Sequence, residues 1–407
     1  MKALRNYLDK IKPNFEEGSK LHWLYSTYDA IETFLFVPNT TSKSGVHIHD
    51  ARDSKRTMII VIIALIPALL VGMYNVGLQH YLSVEQEEVS ILTKFLYGLI
   101  AFLPQIVVTY AVGLGIEFGM AQVKKEEVAE GFLVSGLLIP MIMPIDTPLW
   151  MIAVATAFSV VFAKEVFGGT GYNVFNPALI ARAFLFFSYP SKMSGDQVWV
   201  RTRDTFGMGG GNVVDSFSGA TPLGQIAVSD AGSFSEFSFT NILGQPLSII
   251  DMFLGFIPGS VGEVSTFAIL LGALILIVTG VGSWRTMLSV FLGGLVAVFI
   301  VNLFAANVVM GMPAQYHFLL GGFAFGAVFM ATDPVTSART RKGRWIFGFL
   351  IGVLAVCIRV FNPGYPEGMM LAILFMNAFA PLIDFYVVDA NIKRRMKRVA
   401  VPKTVKQ

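Results

Sequence analysis

One cysteine, few charges and no cluster of metal-binding side chains set the first limits on this 407-residue chain. A single thiol, Cys357, excludes a disulfide framework and a thiolate metal cluster. The five histidines, His22, His47, His49, His80 and His317, are scattered. Only His47 and His49 are near neighbours, in a polar N-terminal stretch where a solvated tail and a metal-binding pair are both open readings. The Gly207 to Gly211 cluster lacks the strand and helix that a dinucleotide fold or P-loop requires, and reads as a flexible insertion. No nucleotide-binding domain and no nucleic-acid partner are expected, so redox chemistry here has to come from a bound cofactor supplied with electrons by a partner.

Charge is scarce as well. Only 14% of residues are charged, against about 25% in soluble proteins, while 54% are hydrophobic. The expected class is an all-α integral membrane protein. A bilayer crossing takes about 20 apolar residues, and ten stretches approach that: 58–79, 91–118, 128–144, 148–166, 174–189, 263–282, 285–309, 315–332, 344–361 and 367–388. Pro140, Pro144 and Pro177 interrupt the third and fifth. Residues 1–57 are polar and mixed in charge, so no cleavable leader is expected and the first apolar stretch is retained.

Lysine and arginine mark cytoplasmic loops, and they fall on alternate connections. They precede the first span, follow the second as Lys124 and Lys125 and the fourth as Lys164, and recur at Arg285, at Arg339 to Arg344 and in the tail from Lys393 to Arg398. Both termini are therefore expected inside, with the long loop 190–262 outside. The implied organisation is a cytoplasmic N-terminal region (1–57), a first membrane repeat (58–189), an outer loop (190–262), a second membrane repeat (263–388) and a basic cytoplasmic tail (389–407).

Three features carry chemistry. Asp215-Ser216-Phe217-Ser218-Gly219-Ala220-Thr221, in the outer loop, holds a threonine hydroxyl among small residues, with an acid six positions upstream and Pro222 after it. An ordinary Ser/Gly turn is its bland alternative. The run Lys164 to Leu179 has too many glycines and polar groups for a plain spanning helix and reads as broken backbone reopening a helix at Pro177. There Asn173 and Asn176 either offer amides to a flat polar ligand or, for Asn176, simply cap the next helix. Asp333-Pro334 stands in the second half where Asn176-Pro177 stood in the first, which suggests two inverted five-helix repeats with a site at the breaks. Lastly, Glu117, Arg182, Arg359 and Asp384 lie in apolar spans, where an ionisable group is costly. Carboxylates there suit a hard cation such as sodium, and Glu117 and Asp384 are equally readable as markers of helix ends. Arg182 has a carboxylate or a cofactor phosphate as its alternative partners.

Taken in order, Glu130-Gly131-Phe132, the Lys164 to Leu179 run, Arg182 to Phe187, the Asp215 to Thr221 motif, Pro258 to Glu263 and Ala331 to Pro334 resemble the NqrB/RnfD family, and within it the NqrB membrane proteins of sodium-translocating NADH:quinone oxidoreductases. The resemblance covers nearly the whole chain. It implies a urea-transporter-like bundle of ten helices in a six-subunit complex of the bacterial inner membrane, with the outer loop in the periplasm. It also implies FMN joined as a phosphoester to Thr221 by a flavin transferase that recognises Asp215, Ser218 and Gly219. A second flavin, riboflavin, would sit in the membrane part, with Asn173 and Asn176 as its candidate contacts. Quinone would be reduced near Gly113 and Glu117, and sodium taken up by way of Glu117, Asp333 and Asp384. The RnfD protein of the related Rnf complex shares the flavin motif, and the long N-terminal region separates the two. A non-redox channel of the urea-transporter type is the alternative from another class, and it leaves the acceptor loop unexplained.

Overall fold

The computed structural model describes residues 2–15, 19, 21–36, 44–45, 54–85, 88–125, 128, 131–214, 217–362, 364–365 and 367–399. His47, His49, Glu130, Asp215 and Ser216 lie outside the described residues. The fold is 67% helix, and among the described residues only two isolated β-bridges occur. Six helices there are long and apolar enough to cross a membrane.

Two short helices come first, α1 (Lys2–Ile11) and α2 (Tyr25–Leu35). They are joined by the Tyr28 hydroxyl donating to Leu8 O at 3.0 Å and by Arg5 and Lys12 both pairing with Glu32. Gln122 then ties this pair to the bundle through Thr27. The polar N-terminal stretch thus has packed structure of its own, made by ion pairs that hydropathy does not report.

The first half of the bundle holds α3 (Ser54–Ser83), α4 (Ile91–Lys124), α5 (Phe132–Met141), α6 (Leu149–Phe158) and α7 (Pro177–Ser188). A Cβ on Gly77 would fall on Lys94 O and one on Gly98 on Met73 O, so α3 and α4 meet backbone to backbone. This is how helices associate where lipid removes the hydrophobic drive. α6 widens into a π-helical turn at Ser159–Lys164 and a short 3-10 turn, Glu165–Phe167. Gly168, Gly169 and Gly171 then take positive φ, a conformation open to glycine at little cost.

After the loop come α8 (Pro222–Ala227) and α9 (Ile249–Leu254), then α10 (Thr266–Thr279), α11 (Trp284–Asn302), α12 (Ala314–Leu319), the single turn α13 (Phe323–Phe325), α14 (Arg341–Phe361) and α15 (Met369–Val399). α11 and α14 are locked by Gly293 against Phe349 O and Gly352 against Val290 O. The outer loop has a small core of its own, in which Leu223, Ile226, Phe239 and Met252 pack with Val308, Met312 and Leu320.

Three expectations about elements are corrected. The stretch 315–332 is not one helix: Gly321 and Gly322, at φ +64° and +67°, break it, and a second π-helical turn follows at Gly326–Met330. Helix α7 starts at Pro177 rather than 174, because the Asn176 side chain caps it. The basic tail is helical to Val399, since α15 continues through residue 389 without a break.

Candidate functional site

Thr221 is the N-cap of α8. Its backbone is extended (φ −63°, ψ 154°), its Oγ1 accepts from Gly224 N at 3.1 Å, and Pro222 occupies the first helical position, where no amide hydrogen is needed. Gln225 fastens this turn to a neighbouring one, donating to Thr240 O at 2.8 Å and accepting from Thr240 N at 3.1 Å. Gly219 lies close under Asp196 O, where a Cβ would sit 2.7 Å away. The half-buried Thr221 side chain borders a cavity of about 430 Å³ whose walls include Ser218, Phe186, Trp199, Tyr365 and Glu367. An aromatic-walled space beside a hydroxyl held at a helix cap has the shape and chemistry to receive a flat ring tethered at that hydroxyl.

Beneath this cavity lies a buried ion network. Arg182 on α7 donates to Glu263 Oε1 at 2.9 Å and, through its other terminal nitrogen, to Glu367 Oε2. Ser260 donates to the second oxygen of Glu263. Arg359 on α14 is pinned by the carbonyl oxygens of His317, Leu320 and Glu367 at 2.7, 3.1 and 3.2 Å. Arg182 thus has carboxylates for partners, and Glu263 and Glu367 are the residues that sequence reasoning missed. Separations of 81 and 185 residues leave no local signal for either pairing.

The two helix breaks meet. Asn176 Oδ1 accepts from Ala178 N at 2.9 Å, capping α7, while its Nδ2 donates to Asp333 Oδ2 at 3.1 Å. Asp333 in turn accepts from Val335 N and the Thr336 hydroxyl. The amide of Asn176 is therefore committed on both sides, and Asn173 donates to Phe175 O at 3.1 Å. These residues border a cavity of about 90 Å³ together with Lys164 and Thr170, whose hydroxyl is unpartnered. At about 30 Å³ per water that space suits a few small ligands and is too small for a three-ring flavin. Asn173 also borders a second cavity of about 310 Å³ with Thr336, Asn377 and Asp384. Both amide atoms of buried Asn377 lack a partner, so this larger space has polar groups left to satisfy.

Glu117 and Gly113 share one buried face of α4. A Cβ on Gly113 would collide with the Phe132 ring, so this glycine serves packing. Glu117 is ion-paired with Lys164, both side chains being about 5% exposed or less, and its Oε2 has no partner. Lys164, counted from sequence among the loop charges, is instead buried, because the π-helical turn that ends at it carries it inward. Asp384 lies within α15 and accepts from Arg339 N, Thr340 N and the Thr340 hydroxyl at 2.6, 3.0 and 2.6 Å, anchoring the start of α14. The structure gathers Asn173, Asn176 and Asp333 around one space, and leaves Glu117 behind Lys164 and Asp384 on the neighbouring space. Among the described residues no group of three or more His, Cys, Asp or Glu side chains converges as a metal site.

Comparison with known proteins adds a full-length match. A family model described as the NQR2, RnfD, RnfE family matches residues 41–393. The NqrB subunit of the Na(+)-translocating NADH-quinone reductase of Chromohalobacter salexigens is 44% identical over 420 residues, covering 98% of this chain and 97% of its own length. Its counterparts from Yersinia pestis and Pseudomonas aeruginosa are each 44% identical, covering 97% of this chain and 99% of their own length.

Proposed function

The chain belongs to the NQR2, RnfD, RnfE family, and from that premise we propose that it is the NqrB membrane subunit of a sodium-translocating NADH:quinone reductase, carrying electrons to quinone in step with sodium export. The observation that carries this reading is Thr221 at the lip of its 430 Å³ aromatic-walled cavity. FMN esterified to that hydroxyl by a flavin transferase supplies the redox chemistry. The chain's own contribution is position. The α8 cap and the Gln225–Thr240 clasp fix the tether, Phe186, Trp199 and Tyr365 wall the space against water, and the Arg182 network beneath it sets the local field. Ser218 and Gly219, with Asp215, form the stretch the transferase reads.

In the membrane part we place riboflavin on the side of Asn173 that faces the 310 Å³ cavity, where Asn377 has a free donor and acceptor. Asn176 then acts by holding α7 to Asp333 rather than by touching the ring. Quinone is assigned to the end of α4 near Gly113 and Glu117, and sodium to a route by way of Glu117, Asp333 and Asp384, whose carboxylates the fold spaces apart rather than clusters. The wider frame is a bacterial inner-membrane complex of six subunits. In it this chain contributes ten membrane segments in two inverted, urea-transporter-like repeats, with both termini cytoplasmic and the Thr221 loop periplasmic. The meeting of Asn176-Pro177 with Asp333-Pro334 supports the repeat, and relatives matched over 97–98% of this chain favour NqrB over RnfD.

The test is sodium uptake into proteoliposomes holding the purified complex, driven by NADH and quinone. Thr221→Ala abolishes it, whereas uptake at the wild-type rate in that variant refutes the proposal.

A further inference from the structure

The Thr221 cavity has a carboxylate in its wall that the electron-carrying role does not by itself require. Glu367 borders the cavity and is about 15% exposed at its side chain, whereas Glu263, on the far side of the same guanidinium, is about 7% exposed. The two acids share Arg182 unequally. Glu263 accepts from Arg182 on one oxygen and from Ser260 on the other. Among the described residues, Arg182 alone donates to the Glu367 carboxylate.

The remaining charges around Glu367 come from several elements. Arg359, on α14, turns its guanidinium to backbone carbonyls, one of them that of Glu367 itself, and His317 stands beside it. Tyr365 is on the same loop, and Asp196 stands exposed at the cavity mouth. With both acids ionised the two arginines balance them, so any negative charge added in the cavity is uncompensated. When carboxylates share one cation, the one with fewer hydrogen bonds to its charged form takes the proton first. Here that one also faces the cavity.

We infer that Glu367 is the proton-accepting residue of the Thr221 cavity: ionised while the tethered flavin is oxidised, its carboxylate binds one proton from water at the cavity mouth when the flavin gains an electron derived from NADH, and returns that proton when the electron leaves. Electron and proton enter and leave together, and the net charge of the buried network plus cofactor stays constant. The inference rests on the proposed flavin at Thr221.

Its test is redox-difference infrared spectroscopy with potentiometric titration on the purified complex, after covalent flavin has been confirmed on the denatured chain. Reduction raises a protonated-carboxyl band that shifts in D2O, is absent in Glu367→Gln, and persists in Asp196→Asn. The wild-type reduction equilibrium carries one more proton than that of Glu367→Gln, a tenfold greater change per pH unit, or about 59 mV for a one-electron couple. Should Glu367→Gln fail to assemble, Glu263→Gln leaves Arg182 wholly to Glu367 and moves the bend in the potential–pH curve to lower pH. A band that survives in Glu367→Gln, parallel potential–pH curves, or an unmoved bend in Glu263→Gln overturns the inference alone. A chain with no covalent flavin overturns both it and the proposed function.

Discussion

Replacing Lys164 by methionine strands a carboxylate inside the membrane part of the fold. Lys164 and Glu117 are both buried and paired, and Oε2 of Glu117 already has no partner, so Lys164→Met leaves Glu117 without a donor. Removing one member of a buried ion pair costs about 3–5 kcal/mol. An orphaned acid can escape by taking a proton, which from an ordinary glutamate costs about 3.7 kcal/mol at pH 7 and about 1 kcal/mol at pH 5. The loss therefore saturates near about 3.7 kcal/mol at pH 7, or roughly 7 °C at about 2 °C per kcal/mol for a chain of this size. Adding Glu117→Gln removes the charge and brings most of that back. The assay is a thermal scan of the purified complex at pH 7 and pH 5, comparing wild type, Lys164→Met, Glu117→Gln and the double variant. The expected pattern is a deep loss for Lys164→Met at pH 7, a shallow one at pH 5, and partial recovery in the double variant. If Lys164→Met equals the double variant at both pH values, the two groups do not interact as buried charges.

Other outcomes follow from the same structure. Gly352→Val, which drives a side chain into Val290 O, separates α11 from α14 and costs at least about 3 kcal/mol, measurable as loss of assembled complex on size-exclusion chromatography. Asp384→Asn removes one of two acceptors for the Arg339 and Thr340 donors and costs about 1–3 kcal/mol, seen as faster hydrogen exchange in the first turn of α14. Burial pushes the Tyr28 phenol up to about 12. Its support for the α1–α2 contact is therefore complete below about pH 10, the ordinary tyrosine value, and is lost as pH rises through about 12. Limited proteolysis of α1 along that range follows the loss, and a cleavage rate that stays flat would count against it.

Sequence made the membrane segments legible because apolar length is a local property. α3, α4, α11, α14 and α15 all overlap their expected stretches. The α7 start was legible too, since Asn before Pro is a cap signal, and the structure shows that cap. The glycine break at Gly321 and Gly322 was missed because hydropathy averages over it, and the π-helical turns have no composition of their own. The charge partners were out of reach. Glu117 finds Lys164 across 47 residues and Arg182 finds Glu367 across 185, and such pairings are decided by how helices pack, not by neighbours in the chain. Asp384 looked like a cation ligand or a helix end, while its oxygens are taken up by the start of α14.

The central claim is that Thr221 carries a flavin. The most direct measurement is the intact mass of the denatured chain, purified from a host expressing a flavin transferase, for wild type and Thr221→Ala. The account predicts a wild-type mass in excess by one FMN less one water, and a Thr221→Ala chain at its bare sequence mass. An unmodified wild-type chain, or an adduct that survives in Thr221→Ala, would contradict it.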